Sequence, residues 1–232
     1  MLVVQHQEDC PPAWVGEWLV EAGCRLDVRH PYRGDDLPDD LVGHDGLLVL
    51  GGSGNAHEDD RYAWFPSTRA LVRDAVTRGT PTLGICLGHQ LVAVALGGES
   101  RRNPLGTQLG LLGVGWTEAA GEDELFGDVP GERGLFWNDD VVVTAPEGTV
   151  ALARTPGGEL QVARFAPAVW GVQLHPEVDE RVLQPWADED RDRHDEGLVD
   201  SVLAQVAERR ADLVAGWRPL AQAFAVLVHR SP

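Results

Sequence analysis

The chain has 232 residues, of which 43% are hydrophobic, and it carries a formal net charge of −18 at pH 7. This charge disfavours nucleic acid and acidic membranes as partners, because phosphate groups are bound by clustered cations. None of the 19 basic residues is a lysine, which excludes enzymes that depend on a Schiff-base lysine or a P-loop lysine.

The first 98 residues are predicted to alternate strands with helices. Apolar runs predict strands at 1–5, 24–28, 46–50 and 81–85, and helical apolar spacing predicts helices at 11–23, at 65–78 and after residue 86. This alternation indicates an α/β fold with a doubly wound, mostly parallel open sheet flanked by helices. The active sites of such sheets lie at the carboxyl ends of the strands.

The pattern changes after residue 98, where short strands alternate with turns. Strands are predicted at 111–117, 133–137, 140–143, 150–154, 160–165 and 168–172. They are interpreted as an additional antiparallel layer of the same domain, because no linker or low-complexity segment separates them from the preceding residues.

The C-terminal part is predicted to be helical. Residues 188–196 read as a solvated, charged loop, and apolar residues from 198 to 217 follow at helical spacing. Pro219 is predicted to break this helix, with a second short helix after it. Residues 1–232 are therefore interpreted as one domain, on which a helical tail at 190–232 packs.

A candidate nucleophile lies between the strand at 81–85 and the helix that follows. Gly84-Ile-Cys-Leu-Gly88 has the form Gly-x-Cys-x-Gly, the cysteine version of a nucleophile elbow, which is a sharp turn that presents one side chain. Glycines two residues to either side allow this strained turn without Cβ clashes. The helix N-terminus favours the thiolate of Cys86 over the thiol.

Two further segments carry the groups that such a cysteine needs, namely a base and donors for an oxyanion. Among eight histidines, only His175 ends a predicted strand with a carboxylate two residues later, Glu177. In an extended segment these two side chains share a face, so Glu177 is expected to orient the His175 ring. A glycine turn at 51–54 follows another strand and lies at the same edge of the predicted sheet.

Each motif taken alone also permits a different interpretation. Gly-x-Cys-x-Gly occurs in purely structural turns, and His-Pro-Glu occurs in surface turns. A metal site of His175, Glu177 and His194 is a further alternative, but their spacing matches no established ligand pattern. We therefore expect neither a metal nor a cofactor.

The cysteine content and the N-terminal residues indicate in which cellular compartment the protein is expected. Cys10, Cys24 and Cys86 are too few and too widely spaced to indicate a disulfide framework or a structural zinc site. No signal-peptide pattern stands at the N-terminus, and no apolar run reaches about 18 residues. We expect a soluble, cytoplasmic protein, in which the thiols stay reduced.

Two motifs together resemble the class I (triad) glutamine amidotransferases. They are Gly84-Ile-Cys-Leu-Gly-His-Gln90 and Gly171-Val-Gln-Leu-His-Pro-Glu177, and the glycine turn at 51–54 fits the same family. The resemblance extends over nearly the whole chain, which looks most like stand-alone proteins similar to the glutaminase part of GMP synthase. It implies the α/β fold of that family and the hydrolysis of glutamine.

The resemblance also implies a role for each matching residue. Cys86 would attack the side-chain amide of glutamine. His175 would act as base and then as proton donor, and Glu177 would orient it. The N–H groups of Gly52 and Leu87 would form the oxyanion hole.

Substrate-binding residues are implied by the same resemblance. Gln90 matches a position that helps to bind glutamine, with helix capping or solvent exposure as the alternative. The family often carries Trp-His-Gly-Asp where this chain has Trp137-Asn-Asp-Asp140, so Asn138 replaces a histidine. This segment borders the substrate pocket in the family, so Trp137 and Asn138 are predicted to bind substrate and the change puts its identity in question.

Three functions agree with these residues. The first is hydrolysis of glutamine through a cysteinyl thioester, with delivery of ammonia to an acceptor on a separate synthase chain. The second is hydrolysis of a γ-glutamyl amide or peptide by the same triad, which the changed segment around Asn138 favours. The third is an inactive regulatory or binding homologue, which the complete triad disfavours.

Overall fold

A seven-stranded sheet forms the centre of the computed structural model, which describes residues 1–231 except for the side chain of Glu196. The strands are β1 (Leu2–Val4), β2 (Asp27–Arg29), β3 (Leu47–Val49), β4 (Thr82–Ile85), β5 (Glu99–Arg102), β6 (Gln108–Gly113), β7 (Arg133–Asn138), β8 (Asp140–Thr144), β9 (Val150–Arg154), β10 (Leu160–Ala166) and β11 (Val169–Val172). The helices are α1 (Ala13–Glu21), α2 (Phe65–Arg78), α3 (Leu87–Ala95), α4 (Glu180–Asp190), α5 (Glu196–Glu208) and α6 (Arg210–Arg230). The strand order in the central sheet is β2-β1-β3-β4-β11-β10-β9.

Helices cover both faces of the central sheet. Successive side chains of a strand point to opposite faces, and here Val3 and Leu83 belong to a hydrophobic cluster with α1 and α6. Leu2 and Val49 belong to a second cluster, with α2 and α3. Because β2, β1, β3, β4 and β11 run parallel, the predicted doubly wound, mostly parallel α/β sheet is confirmed.

The strands predicted after residue 98 are divided among three sheets. β10 and β9 extend the central sheet in antiparallel pairing, whereas β5 pairs with β8, and β6 with β7, as separate two-stranded sheets. β11 departs from the predicted antiparallel layer, because it runs parallel to β4. The sequence does not predict β5, since its residues are mostly polar and only the pairing with β8 makes them a strand.

Helix α4 is a second element that the sequence does not predict. The sequence predicts only a loop at 188–196 in this region. Asp179 caps the helix by accepting hydrogen bonds from two backbone N–H groups of the first turn. Three side chains at helical spacing are buried: Leu183, Trp186 and Ala187. Pro185 lies inside the helix and hides this pattern, since proline ordinarily ends a helix.

Pro219 lies inside α6, so the predicted break at that residue is wrong, and the break instead falls at Arg209. A proline in a helix interior costs about 3 kcal/mol, because it removes a hydrogen bond and crowds the preceding turn. Burial of Trp217, Leu220 and Phe224 on either side of the proline offsets that cost. Among residues 1–231, no helix is long and apolar enough to cross a membrane.

Two glycines let α3 pack directly on the central sheet. A Cβ at Gly88 would lie 2.0 Å from the carbonyl oxygen of Val49, and a Cβ at Gly84 would lie 2.5 Å from the carbonyl oxygen of Gly88. Both clashes would be with backbone atoms, so a change of side-chain rotamer could not remove them. The contact holds the N-terminus of α3 beside the carboxyl ends of β3 and β4.

Gly88→Ala is expected to lower the free energy of unfolding by about 3 kcal/mol, because α3 has to move away from β3. Gly113→Ala is the matched control, since a Cβ at this strand glycine would meet nothing within 4 Å. Urea denaturation of both variants measures the difference. Equal stability of the two variants would contradict the close packing of α3.

Candidate functional site

The two candidate reactive segments meet because β4 and β11 are parallel neighbours. Val172 lies opposite Ile85, so the residues that follow both strands leave the sheet at one edge. The backbone N–H of Cys86 donates a hydrogen bond of 2.8 Å to the carbonyl of Val172. Segments that are distant in sequence are therefore held together at the carboxyl ends of the strands.

Cys86 occupies a strained turn at the start of α3. Its φ of 51° and ψ of −107° lie outside the regions that residues other than glycine ordinarily adopt. The side chain is buried, at 5% exposure, and it lines two adjoining cavities. This backbone turns the thiol away from the sheet and toward the cavities, as expected for a nucleophile elbow.

His175 is held between Glu177 and Cys86. Nδ1 of His175 lies 2.8 Å from Oε1 of Glu177, and both side chains are almost fully buried. The His175 ring also lies close enough to Cys86 for the two side chains to interact electrostatically. The backbone N–H of His175 donates to the carbonyl of Leu135 over 2.7 Å, and Trp186 contacts the ring edge-on. These contacts determine the orientation of the imidazole.

The charge state of His175 follows from these neighbours. Burial lowers the pKa of His175, but the negative charges of Glu177 and Cys86, with hydrogen bonds to both, raise it overall from 6.5 to about 10. His175 is therefore a cation at neutral pH. Oε2 of Glu177 is buried and has no hydrogen-bond partner within residues 1–231, which leaves His175 as the main balance to the Glu177 charge.

Two backbone N–H groups lie beside the elbow. That of Leu87 is the first in α3, and that of Gly52 belongs to the turn after β3; neither donates to an acceptor within residues 1–231. A Cβ on Gly52 would lie 3.0 Å from Cδ2 of Leu87, so the turn packs against the start of α3. Unpaired N–H groups at such a place are suited to bind an anion.

A cleft of about 160 Å³ opens beside the Cys86 thiol. It is smaller than the roughly 300–1,000 Å³ of pockets for drug-sized ligands, so it suits a group the size of an amino acid. Its lining includes the turn at 52–54, the end of β7 and the end of α4. All three residues predicted to bind substrate, Gln90, Trp137 and Asn138, line it.

Gln90 contributes to the cleft, but its amide nitrogen is bound within the protein. Nε2 donates to the backbone carbonyl of Asp140 over 2.9 Å and to Oε1 of Gln173 over 3.2 Å. The side chain is buried and caps no helix, so capping and solvent exposure are both wrong as alternatives for Gln90. Substrate binding by Gln90 stays a prediction, and its Oε1 is the atom left for a ligand.

Trp137 and Asn138 reach the cleft from the end of β7. Nε1 of Trp137 donates to Oδ2 of Asp190 over 2.8 Å, and Nδ2 of Asn138 donates to Oε1 of Gln108 over 3.1 Å and to the carbonyl of Asp140 over 3.0 Å. Oδ1 of Asn138 is buried and accepts no hydrogen bond from the described part of the chain. This oxygen is therefore a buried, unpaired acceptor on a residue that lines the cleft.

A network of charges at the cleft was not predicted from the sequence. Arg193 lies 2.9 Å from a carboxylate oxygen of Asp139 and 2.8 Å from one of Asp190, while Arg102 lies 3.3 Å from Asp139. Burial alone would raise the pKa of Asp139, but the hydrogen bond from Thr107 and the two arginines lower it overall. These residues come from four separate segments, so their positions in the sequence carry no signal of the network.

The alternative metal site does not form. Among the side chains that the structure describes, no group of three or more His, Cys, Asp and Glu is arranged to hold a metal ion. Glu177 is hydrogen-bonded to His175, whereas His194 lines the cleft. Cys10, Cys24 and Cys86 are all free thiols.

Comparisons relate the chain to known proteins. Residues 14–185 match the family model described as glutamine amidotransferase class-I. Over 145 residues, or 62% of this chain, it is 32% identical to the glutamine-hydrolysing GMP synthase of Aeropyrum pernix, and the match spans only 26% of that relative's length. Over 168 residues, or 70% of this chain, it is 28% identical to gamma-glutamyl peptidase 5 of Arabidopsis thaliana, of which the match spans 66%.

Solved structures show the same fold. The crystal structure of a glutamine amidotransferase from Methylobacillus flagellatus superimposes with a TM-score of 0.86. The superposition covers 97% of this chain and 93% of that one at 24% sequence identity. At this level of identity, the likeness concerns the fold and not the substrate.

Glu177→Gln is expected to lower the pKa of His175 from about 10 toward its ordinary 6.5, because the amide keeps the shape of Glu177 and removes its charge. Since folding raises this pKa, the stabilisation from protonated His175 is complete below pH 6.5 and is lost as the pH rises through about 10. NMR titration of the imidazole and denaturation across that range measure both effects. Wild-type protein should lose stability more steeply than the variant, and identical His175 titrations would contradict the pairing.

Proposed function

The chain belongs to the class I glutamine amidotransferases, and on that premise we propose that it hydrolyses the side-chain amide of glutamine through a cysteinyl thioester. The observation that carries the proposal is the contact of one buried imidazole with both Cys86 and Glu177. In this mechanism Cys86 is the nucleophile, His175 transfers protons, and Glu177 orients His175 and stabilises its charge.

The first step is attack of the Cys86 sulfur on the amide carbonyl carbon of the substrate. The cationic His175 beside the sulfur favours its thiolate, because opposite charges stabilise each other strongly in a buried site. As the C–S bond forms, negative charge moves to the substrate oxygen. The N–H groups of Leu87 and Gly52 are the donors for this oxyanion, and such a donor is typically worth about 10²–10³ in rate.

The second step is the release of ammonia. His175 gives its proton to the departing nitrogen as the C–N bond breaks, which leaves a glutamyl thioester on Cys86 and a neutral imidazole. Water then attacks the thioester carbonyl while His175 takes a proton from it. The C–S bond breaks, glutamate leaves, and the thiolate–imidazolium pair is restored.

The cleft supplies substrate binding in this proposal. Its volume suits free glutamine, Oε1 of Gln90 accepts a hydrogen bond from the α-amino group, and Asn138 lines the same cleft. Trp137 contributes an apolar surface, and its position is maintained by the hydrogen bond to Asp190. Ammonia passes to an acceptor on a separate synthase chain, a proposal supported by the relative that is named a glutamine-hydrolysing GMP synthase.

A second candidate function is hydrolysis of a γ-glutamyl amide or peptide by the same three residues. Ser53, Thr107 and Arg193 line the cleft and are exposed, so a substrate could extend beyond the scissile amide into solvent. The relative named gamma-glutamyl peptidase 5 supports this reading. The chemistry is unchanged, except that an amine or a peptide leaves in place of ammonia.

Cys86→Ala and His175→Ala are expected to reduce release of ammonia from glutamine by about 10⁴-fold or more. Glu177→Gln should cost less, because the orienting contact is weakened and not removed. Cys24→Ala is the matched control, since Cys24 is also buried but lines neither cavity beside Cys86. Unchanged turnover by Cys86→Ala would overturn the mechanism.

Parallel turnover assays on free glutamine and on a γ-glutamyl dipeptide separate the two candidate functions. The expected result is a higher kcat/KM for glutamine, because the cleft encloses little more than one amino acid. A higher kcat/KM for the dipeptide would favour the peptidase function instead. No product from either substrate, with Cys86 no more reactive toward electrophiles than Cys24, would indicate an inactive homologue.

A further inference from the structure

Gln173 is a buried amide that the proposed mechanism leaves without a role. It follows β11 directly and stands two residues before His175, and its side chain is fully buried. Its Nε2 lies 3.5 Å from Sγ of Cys86, within hydrogen-bond distance of a sulfur. We propose that Gln173 donates a hydrogen bond that stabilises the Cys86 thiolate, an inference that rests on the function proposed above.

A single backbone carbonyl determines how the two amides are oriented. A carbonyl oxygen only accepts, so the carbonyl of Asp140 requires the NH₂ end of Gln90, which lies 2.9 Å away. The same nitrogen of Gln90 lies 3.2 Å from the Gln173 amide, which therefore presents its oxygen there. The NH₂ end of Gln173 is consequently the end that faces Cys86.

These hydrogen bonds connect Asp140 and Gln90, which line the cleft, to Cys86 through Gln173. Asp140 follows the Trp137–Asn138 pair that lines the cleft, and its carbonyl also accepts a hydrogen bond from Asn138. Turning the Gln90 amide over would place its oxygen against the Asp140 carbonyl, and turning the Gln173 amide over would place its oxygen against the thiolate. Both alternatives bring two acceptors together, so the observed arrangement is favoured.

The donor acts at both stages at which sulfur carries negative charge. In the first step the thiolate attacks, and in thioester hydrolysis the same sulfur is the leaving group. A hydrogen bond to a charged atom is stronger than one between neutral groups, so an amide donor lowers the energy of the thiolate relative to the thiol. Unlike His175, Gln173 gives up no proton during the cycle.

Gln161 provides an internal comparison for Gln173. The backbone N–H of Gln173 donates to the carbonyl of Gln161 on β10 over 2.8 Å, and both side chains are fully buried. The amide nitrogen and oxygen of Gln161, however, have no hydrogen-bond partner within residues 1–231. The two glutamines share residue type and burial and lie on adjacent segments, but among the described contacts only Gln173 hydrogen-bonds Cys86.

Other titratable groups near Cys86 stay in place when Gln173 is replaced. His175, supported by Glu177, lies on the segment after β11, and Cys10 shares a cavity with Cys86. Burial, then the charges of Asp9, Glu177 and Cys86, raise the pKa of Cys10, which is therefore a neutral thiol. Charged residues of the cleft are Asp139, Asp140, Asp190 and Arg193. A change in the pH dependence of Cys86 reactivity therefore reports the loss of the Gln173 donor.

The experiment is the alkylation of Cys86 by iodoacetamide as a function of pH, followed for each cysteine by peptide mass spectrometry. Gln173→Leu removes the donor, whereas Gln173→Glu keeps the size and the acceptor for Gln90 but places an oxygen beside the sulfur. Both variants should slow alkylation of Cys86 at neutral pH by about tenfold or more and move its rate profile to higher pH. Gln161→Leu should leave the profile unchanged, and Cys24 is the internal reference.

Turnover of glutamine provides a second readout. The kcat of Gln173→Leu should fall by about the same factor as the alkylation rate, whereas KM should change by less than about twofold. The reason is that Gln173 contacts the nucleophile but does not line the cleft. A large rise in KM with unchanged kcat would contradict a role at the sulfur.

The outcomes for Gln173 and for the proposed function are distinguishable. Superimposable Cys86 profiles for wild-type protein and both Gln173 variants would overturn the inference, even if glutamine is hydrolysed. An equal shift in Gln161→Leu would also overturn it. A shift confined to the Gln173 variants, in a protein that releases no ammonia from glutamine, would support the inference and count against the proposed function. If Gln173→Leu does not fold, the nearly isosteric and uncharged Gln173→Met decides, because it removes the donor without adding a charge.

Discussion

Direct packing of α3 on the central sheet is the constraint on which the candidate site depends. Gly84 and Gly88 bring helix and strand backbones so close that no side chain fits between them. The chain therefore has to reverse within one residue, and Cys86 takes up that turn with a positive φ. Strain at a single residue places the thiol at a helix N-terminus, beside two N–H groups with no acceptor within residues 1–231.

The second constraint is buried charge. His175 and Glu177 are almost fully removed from solvent, and an unpaired charge there would be costly. Their mutual contact, together with the charge of Cys86, makes the ionised arrangement the favourable one. A series of hydrogen bonds between uncharged groups runs from the Asp140 carbonyl through Gln90 and Gln173 to the same sulfur. Cys86 therefore interacts both with the charged His175 and with the uncharged amide of Gln173.

The sequence predicts best where the signal is local. The helix predicted at 65–78 agrees with α2, and the strand predicted at 150–154 agrees with β9, because apolar spacing and turn residues define both. Prediction from the sequence fails where contacts between residues distant in the chain determine the secondary structure. β5 is a strand only through pairing with β8, and Pro219 is tolerated only because large side chains of α6 are buried around it. Helix α4 was not predicted for two reasons. Pro185 interrupts its helical pattern, and the contact of Trp186 with His175 joins residues from different segments.

By itself, the sequence determined the α/β class, the order of strands and helices in the first 98 residues, and the segments that present Cys86, His175 and Glu177. Those features depend on neighbours in the chain, namely apolar period, elbow glycines and a carboxylate two residues from a histidine. Only the tertiary structure decided that β11 lies beside β4, that Gln173 points its amide at the sulfur, and that Arg193 joins Asp139 at the cleft. Those contacts join separate elements, and no local pattern encodes which elements become neighbours.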